Sequence, residues 1–504
     1  MHQKLSIEST PRTGDISATR SWCVAAVGII ALAIVVRLLL NFRHAMAPGM
    51  DAAYYPMQTQ WLIENGELQL SATPLTFWLH AILTKVIIAV SSLSLNSAAA
   101  LSARLFDCFI PPLIAIPIMR LGFHWSEGRR SALLVCVAAA ALVVLSPPIM
   151  RMAGDLQKNT LGMLWMGFAI WAMRNSLAAP KVWWRWLMPC FIFVLAGLTH
   201  IGAFGATVAV LAGCLFCYAV LDKELWQTRK IAASVAMLLL GVAISTFLIA
   251  WLTPSQFRRM GSLLSQIFGF SPTGLAMSAI IYPVLFWLMR KLMSSKTSLP
   301  KGDKAIALGT AFGVGLLIAP IFDGAFAMRF QLMAIVPAAF LLALSATALE
   351  WDRHQTWHQK GIVVVAGLLA LASLFSTQGP VITQEAATEL KQIATTLSDP
   401  SNTIVVAPHG MEFWAGHLMS CRVKHTSAPD DLSIYRRVLF LQPTEKTKSH
   451  GRRRRPPPNR DRWTPHRPDE HGPSQQRMTI PKDTAKVWSG EYFTLYELNH
   501  SAHE

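Results

Sequence analysis

Residues 21–40 read SWCVAAVGIIALAIVVRLLL, and apolar runs of this kind recur along most of the chain. A helix needs about 20 such residues to cross the hydrocarbon core of a bilayer, so each run is long enough to be a span. In lipid the backbone N–H and C=O groups must be satisfied within the protein, which leaves helices or a closed barrel. A barrel would show short alternating segments, whereas these runs are continuous. The expected fold is therefore an all-α polytopic membrane bundle. Composition agrees, with 53% of the 504 residues hydrophobic and only 14% charged.

The formal net charge of +17 is read first as topology, because Lys and Arg concentrate in cytoplasmic loops. Basic clusters stand at 4–20, 120–130, 174–185, 223–230, 290–304 and 353–360, and a cytoplasmic N-terminus puts all of them inside. The first run lies too deep for a standard signal peptide and no small-residue cleavage site follows it, so it is expected to stay as an anchor. An odd number of crossings must then separate residue 40 from the cluster at 120–130. The run 77–93, interrupted by His80 and Lys85, is expected to lie at the outer surface, and 98–122 to cross. Later spans are expected near 131–149, 160–176, 186–199, 201–221, 231–252, 274–290, 305–320, 330–349 and 361–376, about 11 in all.

The organisation is then a cytoplasmic tail (1–20), a transmembrane domain (21–376) whose first outer loop is 41–97, and an extracytoplasmic C-terminal domain (377–504). Its stretches NTIVVAP, RVLFLQ and YFTLYEL read as strands, which predicts a small α/β domain. An Arg- and Pro-rich insert at about 445–480 has no periodicity and reads as disordered. Its RRRR run lies on the outer side and reads as solvated tail, so no nucleic acid is expected as partner. Cys214 and Cys217 form a CxxC inside a span, which reads as packing of small apolar side chains.

Sorting polar residues by side gathers Asp51, Tyr54, Tyr55, Arg151, Asp155, Lys158, His200, Arg258, Arg259, Asp323 and Arg329 at the outer ends. Acids at a membrane-embedded loop are costly and need a partner or a function. Sugar transfer from a lipid-linked phosphate fits this set. It needs a carboxylate to activate the acceptor, and cations for the departing phosphate. A guanidinium fork matches phosphate geometry.

The order of features resembles the GT-C glycosyltransferases, the polyprenol-dependent membrane class. That class includes the oligosaccharyltransferase catalytic subunit, protein mannosyltransferases and the aminoarabinose transferase of lipid A. The resemblance rests on MDAAYYPMQTQWLIENGELQLSATPLTFWLHAIL after the first span, HWSEGRR at the next turn, RMAGDLQKN, and MRFQLMAIVP opening a late span. It implies Asp51 as catalytic carboxylate, Asp155 as second acid and Arg329 as a phosphate contact. It also implies a polyprenyl-phosphate-linked sugar donor, an unspecified acceptor, and a site on the outer face of a bacterial inner membrane. Tyr54, Tyr55, Arg151, Lys158, His200, Arg258 and Arg259 are the further candidates for substrate binding.

Two departures separate the chain from oligosaccharyltransferases. The loop 253–273 has no Asp or Glu, and the C-terminal domain lacks Trp-Trp-Asp. A divalent Mg or Mn ion, if any, would fall to Asp51 and Asp155, a poor octahedral set. Metal-independent base catalysis by Asp51 is at least as well supported.

Simpler readings stand beside these. Asp51 would cap a helix over 52–65, Asp155 and Lys158 would pair at a helix start, and His200 would bond at a helix end. Tyr54 and Tyr55 would be interfacial anchors, and Arg258 and Arg259 headgroup contacts. A flippase of lipid-linked sugars would line a path through mid-membrane, whereas the charges here are one-sided. A polysaccharide polymerase would use outer-loop arginines without the early Asp.

Overall fold

The structure, a computed structural model, describes residues 15–127, 129–222, 229–254, 267–294, 299–322, 324–348, 379–425, 434–447 and 480–498, with single positions and short pieces between them. Arg258, Arg259, Asp323 and most of the Arg- and Pro-rich insert lie outside the described residues.

The first apolar run becomes α1 (Asp15–Phe42). The first long loop carries α2 (Tyr54–Asn65) and α3 (Leu75–Val90). At about 1.5 Å per residue α3 is roughly 24 Å long, short of the ~30 Å hydrocarbon core. A long rod follows, made of α4 (Leu95–Phe109), a 3-10 turn Pro111–Ile114, and α5 (Ala115–Trp125). The prolines explain the turn, since neither can donate an N–H to the α ladder. The chain continues through α6 (Arg130–Val144), α7 (Pro147–Met150), α8 (Gln157–Ala178), α9 (Leu187–Thr199), α10 (Ile201–Leu221), α11 (Arg229–Leu252), α12 (Pro272–Ser294), α13 (Lys301–Leu317) and α14 (Gly324–Ala348).

Among the described residues six helices are long and apolar enough to cross a membrane: Ser17–Phe42, Leu95–Trp125, Ala132–Met150, Ile201–Leu221, Pro272–Arg290 and Phe326–Ser345. The protein is thus a multi-pass membrane helix bundle, and this measure does not reach the expected count of about 11. Of the other expected runs, the apolar helix Trp183–Thr199 is shorter than these six. Another, α8, carries Lys158 and Arg174 near its two ends.

Close packing inside the bundle uses small residues, the usual device where lipid offers no hydrophobic drive between helices. A Cβ on Gly309 of α13 would sit 2.3 Å from the Cys214 backbone nitrogen of α10, and one on Gly313 would sit 2.5 Å from Val210. Cys214 is buried at this crossing as a free thiol, which fits the packing reading of the CxxC. At one end of the bundle Asp303 Oδ1 accepts from Arg174 Nε at 2.8 Å and from Trp125 Nε1 at 2.9 Å, tying α5, α8 and α13. Lys158 marks the other end of α8, roughly 24 Å away along its axis. The Arg174 pair and the Lys158 cluster form two polar layers at opposite ends of this helix.

The C-terminal domain is a mixed five-stranded sheet with helices. In chain order it contains α15 (Gln384–Thr395), β1 (Thr403–Val406), α16 (Met411–Met419), β2 (Arg422–Lys424), β3 (Arg437–Pro443), β4 (Thr484–Ser489) and β5 (Phe493–Leu498). The strand order is β2-β1-β3-β5-β4. β1 is parallel to both β2 and β3, while β5 is antiparallel to β3 and β4. β1 is the short run TIVV, buried at every position, as expected of a central parallel strand covered on both faces. The stretches NTIVVAP, RVLFLQ and YFTLYEL supply β1, β3 and β5.

This domain is seated on the first long loop. Ala52, Ala53 and Met57 share one apolar core with Trp414, Ala415 and Val423. Gln60 Nε2 donates to Ser420 Oγ at 2.9 Å, and Gln69 Nε2 to the Cys421 carbonyl at 2.9 Å.

One carboxylate organises the sheet's last hairpin. Glu389 of α15 accepts backbone N–H bonds from Glu491, Tyr492 and Phe493 at 3.0, 2.9 and 2.9 Å. Each bond to an ionised acceptor is worth about 1.5–3 kcal/mol. Glu389→Ala is therefore expected to destabilise the C-terminal domain by about 3 kcal/mol or more. Limited proteolysis of the purified protein checks this, with faster cleavage within the domain as the expected result.

Candidate active site

The site is built where the loop after α1 meets the loop before α8. Asp155 Oδ1 accepts the Asp51 backbone N–H at 2.5 Å. The Met50 N–H is a second donor to the same carboxylate. The contact is possible because two glycines remove the side chains that would block it. A Cβ on Gly154 would lie 1.9 Å from the Pro48 carbonyl oxygen, and one on Gly49 would lie 2.5 Å from Asp155 Oδ1. Both glycines have positive φ, +76° for Gly154 and +98° for Gly49, a region costly for other residues. Gly49 also bridges to Pro380 at the entrance to the C-terminal domain.

Asp51 is thereby fixed by its backbone while its carboxylate is left for other work. The helix that follows starts at Tyr54 with Ala53 as N-cap, and no side-chain cap is made. The capping reading of Asp51 is corrected accordingly: its carbonyl accepts from Tyr54 N at 2.9 Å, and its side chain does not cap. Burial pushes the Asp51 pKa up, and the charges of His409, Lys158 and Arg329 act against it. Asp155 is pushed up to about 6, by burial and then by the charge of Asp51. The pairing of Asp155 with Lys158 gives way to the bond with the Asp51 backbone.

Lys158, in the first turn of α8, is held by both tyrosines. Its backbone N–H donates to Tyr55 Oη at 3.4 Å, and its Nζ to Tyr54 Oη at 3.3 Å. The ammonium also stands 5.0 Å above the Tyr54 ring. Tyr55 is only 1% exposed, which does not suit an interfacial anchor, and its hydroxyl accepts the Lys158 backbone N–H. Burial, then the charge of Asp51, raises the Tyr55 phenol pKa well above its ordinary value, which keeps it a neutral hydroxyl.

Arg329 in α14 is exposed toward this end, and its charge reaches both Asp51 and His200. His200 caps α10, its Nδ1 accepting the Ala203 N–H at 3.2 Å, as the helix-end reading anticipated. Arg151 is not joined to the group: it is exposed at the end of α7, and its side chain takes no part in the described hydrogen bonds. The structure thus brings together Asp51, Asp155, Tyr54, Tyr55, Lys158, His200 and Arg329.

Two parts of the site were not read from the sequence. The first is a buried ion pair beneath the Asp155 loop. Arg37 of α1 and Asp107 of α4 are both fully buried, with Nη1 3.2 Å from Oδ1. Asp107 Oδ2 also accepts from Asn41 Nδ2 at 2.8 Å and from the Gly154 N–H at 3.3 Å. Charges inside apolar runs were the available signal, since Arg37 and Asp107 each interrupt one. The second is His409, from the C-terminal domain, for which the sequence carried no signal.

The donor set does not suit a divalent cation. Asp155 is 8% exposed and spends its carboxylate on backbone N–H groups, which leaves Asp51 alone. Among the described residues no group of three or more His, Cys, Asp or Glu side chains converges as a metal site.

No family model and no curated protein matches the chain. Solved structures do. The chain shares its fold over nearly its whole length with ArnT, a likeness of the kind that the sequence resemblance implied. ArnT from Cupriavidus metallidurans in the apo state matches with a TM-score of 0.57 and 14% identity, over 96% of this chain and 99% of that chain. The same protein bound to undecaprenyl phosphate gives 0.55 and 13%, over 95% and 98%. An oligosaccharyltransferase from Archaeoglobus fulgidus gives 0.49 and 12%, over 82% of this chain and 67% of that one.

Breaking a buried ion pair on one side costs about 3–5 kcal/mol, because the remaining charge has no compensation. Asp107→Ala is expected to lower stability by that amount and to loosen the Gly154–Asp155 loop. The double change Arg37→Met with Asp107→Leu, which removes both charges, is expected to lose much less. Thermal melts in detergent distinguish the two.

Proposed function

We propose that the protein transfers a sugar from a polyprenyl-phosphate donor to an acceptor on the extracytoplasmic side of a membrane, with Asp51 as the catalytic carboxylate. The observation that carries this reading is the Asp51 loop itself. Its backbone is clamped by Asp155, its carboxylate is released from capping, and Lys158 and Arg329 act on it electrostatically. A base and two cations at one end of a membrane bundle are what transfer from a lipid phosphate requires.

In the step proposed, the acceptor nucleophile attacks the anomeric carbon and gives its proton to Asp51. The bond from that carbon to the phosphate oxygen breaks, and the electron pair leaves with the polyprenyl phosphate. Lys158 and Arg329 balance the charge that develops on this leaving group, Arg329 through its planar fork. The two tyrosines hold Lys158 so that little reorganisation is needed as the charge appears. Asp155 acts through the backbone of residue 51 rather than on the substrate. The undecaprenyl phosphate in the ArnT structure supports the donor class. Arg37 and Asp107, the charges set deeper, neutralise each other, as Arg174 and Asp303 do at the far end, which favours an enzyme over a flippase.

Asp51→Asn keeps the shape and removes the base, so turnover is expected to fall about 10²–10⁴-fold. The assay follows release of undecaprenyl phosphate from a panel of undecaprenyl-phosphate sugars, with envelope lipid extract as acceptor and a thermal melt as folding control. Near-native turnover by the variant would remove the base from the mechanism.

The side is tested separately. A reporter active only outside the cytoplasm, fused after Glu504, is expected to be active. Activity from a cytoplasmic reporter at that position would overturn the side assignment.

A further inference from the structure

The C-terminal domain turns the carboxyl ends of its parallel strands toward the Asp51 loop. His409 follows β1 and His425 follows β2, and their rings lie 5.7 Å apart. In open α/β sheets this edge is where ligands and functional side chains gather. The loop that carries His409 is pressed against residue 50. A Cβ on Gly410 would come within 3.0 Å of Met50 Cγ, and Gly410 takes φ +88° to make room. Phe413, one turn on, packs 5.0 Å from Tyr54, the residue that holds Lys158.

His409 is oriented rather than loose. Its Nδ1 is paired with Glu412 Oε1 at 2.9 Å, and Phe413 meets its ring edge to face at 5.7 Å. Glu412 is buried while the His409 side chain is 53% exposed, so one ring nitrogen is anchored in the domain and the rest of the ring stays accessible. This is a carboxylate orienting an imidazole beside a second carboxylate.

We propose that His409, held by Glu412 on the loop that packs against residue 50, is the C-terminal domain's contribution to the transfer site, a positioning residue that acts through Asp51. The inference rests on the reading of Asp51 as the base. The groups that face Asp51 are Asp155, Lys158, Arg329, Tyr55 and His409; those that face His409 are Glu412, His425, Asp51 and Asp155. Among the cations, His409 has the largest effect on Asp51, ahead of Lys158 and Arg329. The His409 pKa is itself raised, first by the bond to Glu412, which favours the charged ring.

The test is the pH profile of kcat/KM for undecaprenyl phosphate release, using the full-length protein in detergent. The acidic limb reports Asp51 in the free enzyme. Removing the cation raises the pKa of the carboxylate, so in His409→Asn this limb is expected to move to higher pH by about half a unit or more. His409→Lys keeps a cation and is expected to hold the limb near its native place. Glu412→Gln weakens the imidazolium without deleting it, and an intermediate movement is expected. A His409→Asn profile that superimposes on the native one overturns the inference. So does an equal loss at every pH that Lys does not restore, because that is the mark of a packing role. Asp51→Asn separates the two readings. If it stays active, the base assignment falls; if it is inactive while His409→Asn leaves the limb unmoved, only the role of His409 falls.

Discussion

The bond from the Asp51 backbone to the Asp155 carboxylate is the contact on which the rest of the site depends. A carboxylate proposed as a base on a loop has to be held without using its own oxygens. Here a neighbouring acid grips the peptide nitrogen at 2.5 Å, and the side chain of residue 51 remains free. The geometry requires close approach of two chains, which is why Gly49 and Gly154 stand where a Cβ would collide. Burying a second acid near the first is unfavourable, as the raised pKa of Asp155 reflects. The backbone N–H bonds offset that cost in part.

Beneath this contact lies a second layer of support. Gly154 donates to Asp107, and Asp107 is neutralised by Arg37. A buried ion pair is weak evidence for stability, because desolvation consumes most of its Coulomb energy. Its value here is geometric. It links α1, α4 and the loop before α8 at the level where the membrane helices hand over to the site. An apolar replacement would fill the volume but offer no acceptor for the Gly154 N–H.

How much of this could be read from residues alone follows from the range of each interaction. Local signals were legible. The apolar runs located the bundle, Asn65-Gly66 closed α2 with Gly66 in the left-handed region, and β-branched stretches became three of the five strands. Asp51, Asp155 and Lys158 were singled out because charge at a membrane boundary is costly, and they do converge. Their roles were less legible. Asp51 looked like a cap because Asp favours that position, but the helix starts two residues later, at Tyr54, and frees it. Tyr54 and Tyr55 looked like anchors because tyrosine favours the interface, and only packing shows Tyr55 to be buried. His409 was beyond reach. It is more than 350 positions from Asp51 in the chain, and no periodicity or spacing connects a sheet edge to a loop that distant.

The seating of the C-terminal domain explains why such a distant contact can be reliable. A site on the surface of a membrane bundle is open to water on one side, where charges are screened and orientations relax. Here α16 shares a core with Ala52, Ala53 and Met57, the residues that continue directly from Asp51. Whatever fixes this domain therefore also fixes the loop, and the reverse holds as well. Covering the loop raises the cost of charge on Asp51, and the same cover delivers His409 and its partner Glu412 to oppose that cost. Part of the compensation thus comes from the C-terminal domain and the rest from Lys158 and Arg329 of the bundle. The small sheet domain packs directly on the loop that carries Asp51.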